Sequence, residues 1–419
     1  MNPSLKAQSQ GIAMSGSQSS RIDFNQLQRI LHSHIPGFDG LRGLAILAVI
    51  WHNSVGTDHW HPTSLIGRLL DVSANMGWLG VQLFFVLSGF LITGILLDEK
   101  HLTHPFRNFY VRRSLRIFPL YYATLALLLL IFPALGLTSG TIFSDTSHQI
   151  WYWLYLANWT IPVISGPGML SHFWSLSVEE QFYLFWPLAV ILLNRRALLG
   201  LCAVLIVSAI VMRWSLLQYG IEFARWRAYE FTFARWDALA IGAVLAIGLR
   251  DVYWFAVVRK IWLPVLGLLT LYMVMVVAIT HGYAAVPEED WLVVNQTVAA
   301  VLFATIIFLV VTASAETRVW WLAIIKSYPL RIVGKYSYAM YIFHYPVVMW
   351  ISHELEKSLQ MSQQPFNIVH AIGQASAVTI LVLLMAIISW YVLERPCLRM
   401  KKHFYDRSEP AKAAEAAAL

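Results

Sequence analysis

An arginine and a histidine stand ten residues apart in the apolar stretch FDGLRGLAILAVIWHN at 38–53. In an α-helix, ten residues advance about 15 Å. If Arg42 lies at a membrane surface, His52 therefore lies near the middle of the bilayer. An ionisable side chain at that depth is costly and marks a functional site by default, and imidazole is suited to proton abstraction near neutral pH. The stretch predicts a buried general base, and the alternative is a histidine that joins two helices by a hydrogen bond.

Three arginines follow at 112, 113 and 116 in FYVRRSLRIFPLYY at 109–122. At spacings of three and four, Arg112, Arg113 and Arg116 are neighbours on one helix. Planar guanidinium groups bind phosphates through paired hydrogen bonds, so the cluster suits a donor that carries several phosphates. The alternative is ordinary anchoring at the mouth of a membrane span by long basic side chains.

Two adjacent carboxylates occur in HFWSLSVEEQFYLFWPL at 172–188. Ser175, Glu179 and Tyr183 recur every four residues and can share one helix face. A carboxylate on that face could orient a histidine or polarise an acceptor hydroxyl. Alternatively, the glutamates could form ion pairs with arginines of an outer loop, for which the candidates are Arg225, Arg227 and Arg235.

Other polar residues in apolar surroundings are weaker candidates. Asp237 follows Arg235 closely enough for the two to pair, and His344 lies among aromatic residues, which favours a packed histidine. Small residues beside Ser88, such as Gly89, indicate close helix packing first and cavity lining second.

The spacing of the cysteine and histidine residues supports neither a disulfide nor a metal site. The chain has two cysteines, Cys202 and Cys397. His59, His61 and His148 lack suitably spaced cysteine or carboxylate partners. We therefore expect no metal.

The composition indicates a membrane protein. Of the 419 residues, 58% are hydrophobic and 13% are charged, whereas soluble domains have about 25% charged residues. Apolar runs that cross a bilayer must be helical, so we predict an all-α, polytopic membrane helical bundle with about ten transmembrane helices. The predicted spans are 41–57, 77–97, 117–136, 172–193, 198–217, 236–249, 261–281, 292–313, 336–352 and 372–393.

The distribution of basic residues decides the predicted orientation. With both termini cytoplasmic, most Lys and Arg residues fall on the cytoplasmic side, as the positive-inside rule requires. The aromatic segment 150–163 is then an interfacial or re-entrant piece, because counting it as a membrane span would reverse the predicted orientation of every later span. We expect a polar cytoplasmic N-terminal tail at 1–35, a membrane domain at 36–397 and a cytoplasmic C-terminal tail at 398–419. The net charge of +7 is interpreted through this distribution of basic residues, and no nucleic-acid partner is expected.

Seven motifs in order resemble acyltransferase family 3, the bacterial integral-membrane O-acyltransferases, over roughly residues 36–397. The first is DGLRG followed by the histidine ten residues after the arginine. The others are GVQLFFVLSGFLI, RRSLRIFPLYY, FWSLSVEEQFYL, RWDALAIG, YSYAMYIFHYPV and LERP at 393–396.

The resemblance implies a role for each matched residue. Arg42 and His52 match the essential first-span pair. Arg113 and Arg116, with Arg112 beside them, match the motif that engages acyl-CoA. Glu179, rather than Glu180, matches the glutamate of the fourth motif.

The resemblance also implies an activity and a location. We expect an O-acyltransferase of the bacterial inner membrane that moves an acyl group, namely acetyl from acetyl-CoA, to a hydroxyl of a cell-surface or periplasmic glycan. His52 would act as a base or as an acyl carrier. We expect the stand-alone type without an appended hydrolase-like domain, which leaves room for a separate extracytoplasmic transfer partner. The alternative is a transporter or flippase that uses intramembrane His and Glu, although no internal repeat is visible.

Overall fold

The computed structural model describes residues 23–55, 64–136, 148–160, 168–219, 223–281, 293–314, 320–359 and 368–404. Within these ranges the regular secondary structure is helical and no strand is present. His59 and His61, and residues 1–22 and 405–419 of the predicted tails at 1–35 and 398–419, lie outside the described residues. The prediction of an all-α membrane bundle is confirmed.

Ten of the described helices have 17 or more residues, and we label them in chain order. They are α1 (Pro36–Val55), α2 (Trp78–Glu99), α3 (Pro105–Ala126), α4 (Phe173–Leu192), α5 (Arg195–Gln218), α6 (Thr232–Gly248), α7 (Val252–Thr280), α8 (Asn295–Ala313), α9 (Ser337–Leu359) and α10 (Ile368–Ser389).

Shorter helical segments connect and flank these helices. They are Phe24–Leu31, Leu65–Asn75, Leu127–Ile131, Phe132–Ala134, Gln149–Trp153, Ala157–Trp159, Gly168–Leu170, Ala224–Glu230, Trp320–Ile325, Tyr328–Lys335, Trp390–Glu394, Arg395–Arg399 and Met400–Phe404.

Seven helical stretches of the described chain are long and apolar enough to cross a membrane, and they contain α2, α3, α5, α6, α7, α8 and α10. The other three long helices, α1, α4 and α9, carry Arg42, Glu179 and His344 among their apolar residues. A total of ten spans and the cytoplasmic position of both termini stay predictions.

Helix α3 begins well before the span predicted at 117–136. It starts at Pro105, a residue type favoured in the first turn, and continues through a π-helical turn and Phe132–Ala134. Arg113 therefore lies eight residues, or about 12 Å, inside the helix. The polar residues 107–116 are helical because the buried arginines among them find carboxylate partners in neighbouring helices.

The described part of the aromatic segment 150–163, which ends at residue 160, forms two short turns and no span. Gln149–Trp153 and Ala157–Trp159 are joined at Tyr155, which has a left-handed φ of 55°. The Tyr155 ring stacks on Tyr121 of α3 with centroids 4.0 Å apart. Residues 161–163 lie outside the described residues.

Helices α2 and α6 approach each other closely through glycines. A Cβ atom on Gly89 would lie 2.0 Å from the carbonyl oxygen of Leu239, and one on Gly242 would lie 2.1 Å from that of Val86. Small residues allow this backbone contact in membrane bundles. The close packing predicted for Gly89 is therefore observed.

A buried ion pair ties α5 to α6 and corrects one sequence expectation. Arg213 of α5 donates to Asp237 of α6 at 3.0 Å, and both side chains are fully buried. Thr297 of α8 also donates to Asp237 at 2.5 Å. Arg235 instead donates to Gln82 of α2 at 2.7 Å. The pairing of Asp237 with its neighbour Arg235 was wrong because residues two apart on a helix point to different sides.

Candidate active site

One cavity of about 370 Å³ gathers most of the predicted site residues, and we call it the arginine cavity. Its walls come from α1, α2, α3, α4 and α9, with further residues from 31–35 and from the end of α6. Its ionisable lining residues are His34, Asp39, Arg42, Asp98, Arg113, Arg116, Glu179, Glu180 and Arg250. Apolar side chains such as Phe84 and Leu91 complete the wall.

Arg113 is held on two sides. Its Nη2 donates to Glu180 Oε1 at 3.3 Å, and its guanidinium lies 3.3 Å from the centroid of the Tyr183 ring. A planar guanidinium can form a hydrogen bond at its edge and stack on its face at the same time. Glu180 therefore has its ion-pair partner on α3, and not in the outer loop that the alternative interpretation proposed.

Glu179 faces the arginine cavity one residue before that pair. Ser88 of α2 donates to Glu179 Oε1 at 3.0 Å, and Ser175, one turn earlier on α4, also lines the cavity. The carboxylate keeps free acceptor capacity beside Arg113, which suits it to accept a hydrogen bond from a bound hydroxyl or amide.

Two arginines present charge to the arginine cavity with little compensation. Arg42 lies 3.8 Å from Asp39 one turn earlier on α1, while Asp39 also accepts from His34 at 3.0 Å. Arg116 is exposed, and among the described residues it has no carboxylate within ion-pair distance. These charges suit the cavity to an anionic ligand.

Arg112 is separate from this group. It is buried and forms an ion pair with Glu99 at the end of α2, and it does not line the arginine cavity. Its assignment to the donor stays a prediction, and the structure gives it a role in fastening α2 to α3.

His52 also lies outside the lining of the arginine cavity. Its Nδ1 is 2.7 Å from the carbonyl oxygen of Ala74. Because a carbonyl only accepts, Nδ1 carries the proton and the neutral ring has its lone pair on Nε2. The backbone of Gly77 packs against the Cβ of His52, where a side chain would have no room. The fixed tautomer prepares Nε2 to act as a base.

Comparisons with known proteins identify the family. The family model described as an acyltransferase domain, acyltransferase family 3, matches residues 35–394. The chain belongs to this acyltransferase family. No solved structure matches it.

Individual relatives of this chain include O-acetyltransferase OatA of Staphylococcus aureus, with 28% identity over 352 residues, or 79% of this chain and 53% of that protein. Peptidoglycan O-acetyltransferase OatA of Listeria monocytogenes is 29% identical over 388 residues, or 88% of this chain and 56% of that protein. YrhL of Bacillus subtilis is 29% identical over 346 residues, or 76% of this chain and 49% of that protein. The chain thus spans about half the length of the curated relatives it matches.

A series of polar side chains connects the arginine cavity to the helix that carries His52. Tyr341 and Ser175 line the cavity, and their hydroxyls lie 2.5 Å apart. His344, one turn after Tyr341, has its ring centroid 4.8 Å from that of His172. Asn53, the neighbour of His52, donates to Nε2 of His344 at 3.3 Å. His172 and His344 thus lie against each other, and Asn53 connects His344 to the helix that carries His52.

His172 was missed by the sequence analysis. It is buried, its Nε2 donates to the carbonyl of Ile342 at 3.2 Å, and its Nδ1 has no hydrogen-bond partner among the described residues. His172 directly precedes Phe173, the first residue of α4, so in the sequence it resembled a residue at a helix end on the membrane surface. The available signal was its spacing of three from Ser175, which puts both on the inward face of α4.

The sequence analysis also missed two charged residues that line the arginine cavity, Arg250 and Asp98. Arg250, just after α6, forms two hydrogen bonds to Asp98 of α2 at 2.7 and 2.8 Å. Gly94 lies beneath that guanidinium and leaves space for it. In the sequence, Arg250 is only one of the basic residues on the predicted cytoplasmic side, because nothing in its local sequence links it to Asp98. Among the described residues, no group of three or more metal-binding side chains is found.

Proposed function

We propose that the protein is an integral-membrane O-acetyltransferase that moves an acetyl group from a cytoplasmic acyl-CoA to a hydroxyl of a cell-surface glycan. Two relatives are named as O-acetyltransferases, and one of these is named for peptidoglycan, which supports peptidoglycan as the acceptor. The observation that carries the proposal is the arginine cavity, where Arg42, Arg113 and Arg116 meet the carboxylate of Glu179.

The donor enters from the end of the bundle that the basic residues predict to be cytoplasmic. Arg42 and Arg116 bind its phosphates, and the apolar wall at Phe84 and Leu91 accepts the arm that carries the thioester. Arg113 is held by Glu180 and Tyr183, so its orientation is set before the donor arrives. Such preorganisation reduces the entropy cost of binding.

The chemical step exchanges a thioester for an ester. The acceptor hydroxyl loses its proton to Nε2 of His52, its oxygen forms a C–O bond with the acyl carbon, and the C–S bond breaks. The leaving thiolate then takes up the proton. Ser175 and Tyr341, which line the arginine cavity, are the polar residues of its wall nearest in the chain to His172 and His344.

The test uses purified protein in proteoliposomes with acetyl-labelled acetyl-CoA on one side and peptidoglycan fragments on the other. Label transferred to the acceptor, dependent on the thioester and lost in the double variant Arg113→Gln/Glu180→Gln, supports the enzyme. Movement of the glycan across the bilayer without acyl-CoA would instead establish the transport alternative.

A further inference from the structure

The segment that follows α10 turns back against α3. Trp390–Glu394, Arg395–Arg399 and Met400–Phe404 are three short helical turns, and each packs on α3. The last of them carries Lys401, whose side chain is half-buried. This residue lies beyond the part of the chain that the family model matches, which ends at 394.

Lys401 joins a group of cations that the nearby carboxylates neutralise only in part. Glu99 is engaged by Arg112 and Glu180 by Arg113. The remaining acidic group of the segment, Glu394, accepts a hydrogen bond from Ser389 at 3.0 Å. Arg116 and Lys401 therefore share a region with excess positive charge.

The pKa of Lys401 reflects this excess of positive charge. Burial, followed by the positive charges of Arg116, Arg112 and Arg113, lowers the pKa of Lys401 to about 7. A lysine gains little by lying among three guanidinium groups unless an anion also binds there.

The size of the arginine cavity indicates which part of the donor lies beside Lys401. Its 370 Å³ is near the lower end of the roughly 300–1,000 Å³ range of pockets that hold drug-sized ligands. Coenzyme A is larger than such ligands, so the cavity holds the thioester arm and leaves the phosphorylated nucleotide outside, next to the exposed Arg116.

We propose that Lys401 is a donor-binding residue that, together with Arg116, contacts a phosphate group at the nucleotide end of the acyl-CoA. The inference rests on the proposed function and adds a residue from the C-terminal segment to the donor site. Arg116 supplies a permanent charge there, whereas Lys401 supplies one that depends on pH.

A pH dependence of donor binding follows. The charged groups that act on Lys401 are Arg116, Arg112 and Arg113 on α3, and its own segment also carries Glu394, Arg395 and Arg399. A bound phosphate raises the pKa of Lys401 above its value of about 7 in the free protein. Donor affinity is then highest below pH 7 and falls ~tenfold between pH 6 and pH 8 as the free amine loses its proton.

The experiment measures CoA binding to the purified full-length protein by calorimetry at pH 6 and pH 8, with Lys401→Gln, Lys401→Arg and the control Lys260→Gln. Lys260 is an exposed cation on α7, predicted to be on the same membrane side. At pH 6 we expect Lys401→Gln to bind CoA about tenfold more weakly than wild type and Lys260→Gln to bind it equally well. Lys401→Arg retains the affinity and loses the pH dependence, apart from the titration of the phosphates themselves.

The outcomes separate the inference from the proposed function. Wild-type CoA binding with an unchanged affinity in Lys401→Gln overturns the role of Lys401 and leaves the donor assignment intact. No CoA binding by wild type overturns both. Retained affinity in Lys401→Arg, with an unchanged melting temperature in Lys401→Gln, excludes a folding defect as the cause of weak binding.

Discussion

At the scale of single residues, Arg113 shows how one side chain can serve both the fold and the chemistry. Its ion pair with Glu180 joins α3 to α4, while its stacking on Tyr183 presents the guanidinium to the arginine cavity. The structural role and the proposed donor-binding role of Arg113 therefore cannot be separated by a single substitution, and a double variant is needed.

We expect Arg113→Gln to lower the free energy of unfolding by ~3–5 kcal/mol, because Glu180 is left as an uncompensated buried charge. The double variant Arg113→Gln/Glu180→Gln should recover most of this stability, measured by thermal melting in detergent, without recovering acetyl transfer. If the double variant regains transfer as well, Arg113 has no direct part in donor binding.

His52 calls for a different readout. Because it does not line the arginine cavity, His52→Ala should lower kcat by roughly 10²–10⁴-fold, the usual contribution of a general base, with little change in the KM for the donor. Steady-state kinetics at equal protein amounts measures both constants. A raised donor KM with normal kcat would contradict the role of base.

At the scale of helices, the glycine contact between α2 and α6 supports the site. Gly89 directly follows Ser88, which donates to Glu179, so the close approach of these helices sets the position of that serine. A displaced α2 would carry Ser88 away from the carboxylate.

We expect Gly89→Ala to destabilise the protein by ~1–3 kcal/mol, since the new methyl group would meet the backbone oxygen of Leu239 and overpack the contact. Gly267→Ala in α7 is the matched control, because its Cβ meets no atom within 4 Å. Melting temperatures should fall for the first variant only. Equal melting temperatures for the two variants would show that α2 and α6 can separate without cost.

At the scale of the whole molecule, the orientation in the membrane decides which substrate reaches the arginine cavity. The polar rim of this cavity, with Asp98 and Arg250, lies at the end of the bundle that is predicted to be cytoplasmic. A donor made in the cytoplasm reaches the arginines only in that orientation.

The orientation can be tested with two exposed residues, Tyr219 before α6 in the chain and Lys260 after it, which are predicted to lie on opposite sides of the membrane. In a background with Cys202 and Cys397 replaced by serine, Tyr219→Cys should react with a membrane-impermeant maleimide on intact spheroplasts. Lys260→Cys should react only after lysis, because it is predicted to be inside. Both positions are exposed, so access to reagent differs by side alone. The reverse pattern would invert the orientation and remove the cytoplasmic donor.

The sequence by itself determined the fold class and the candidate site residues, because lipid forces apolar runs into helices and makes intramembrane charge conspicuous. Arg42, Arg113, Arg116 and Glu179 were all recognisable in this way, and the structure places them around one cavity.

Only the tertiary structure decided how these residues are partnered. It pairs Arg112 with Glu99, Asp237 with Arg213 and Arg250 with Asp98, and it places His52 beyond the arginine cavity. Such contacts join helices that are far apart in the chain. Helical periodicity specifies which face a residue occupies, whereas close packing between helices decides what that face meets.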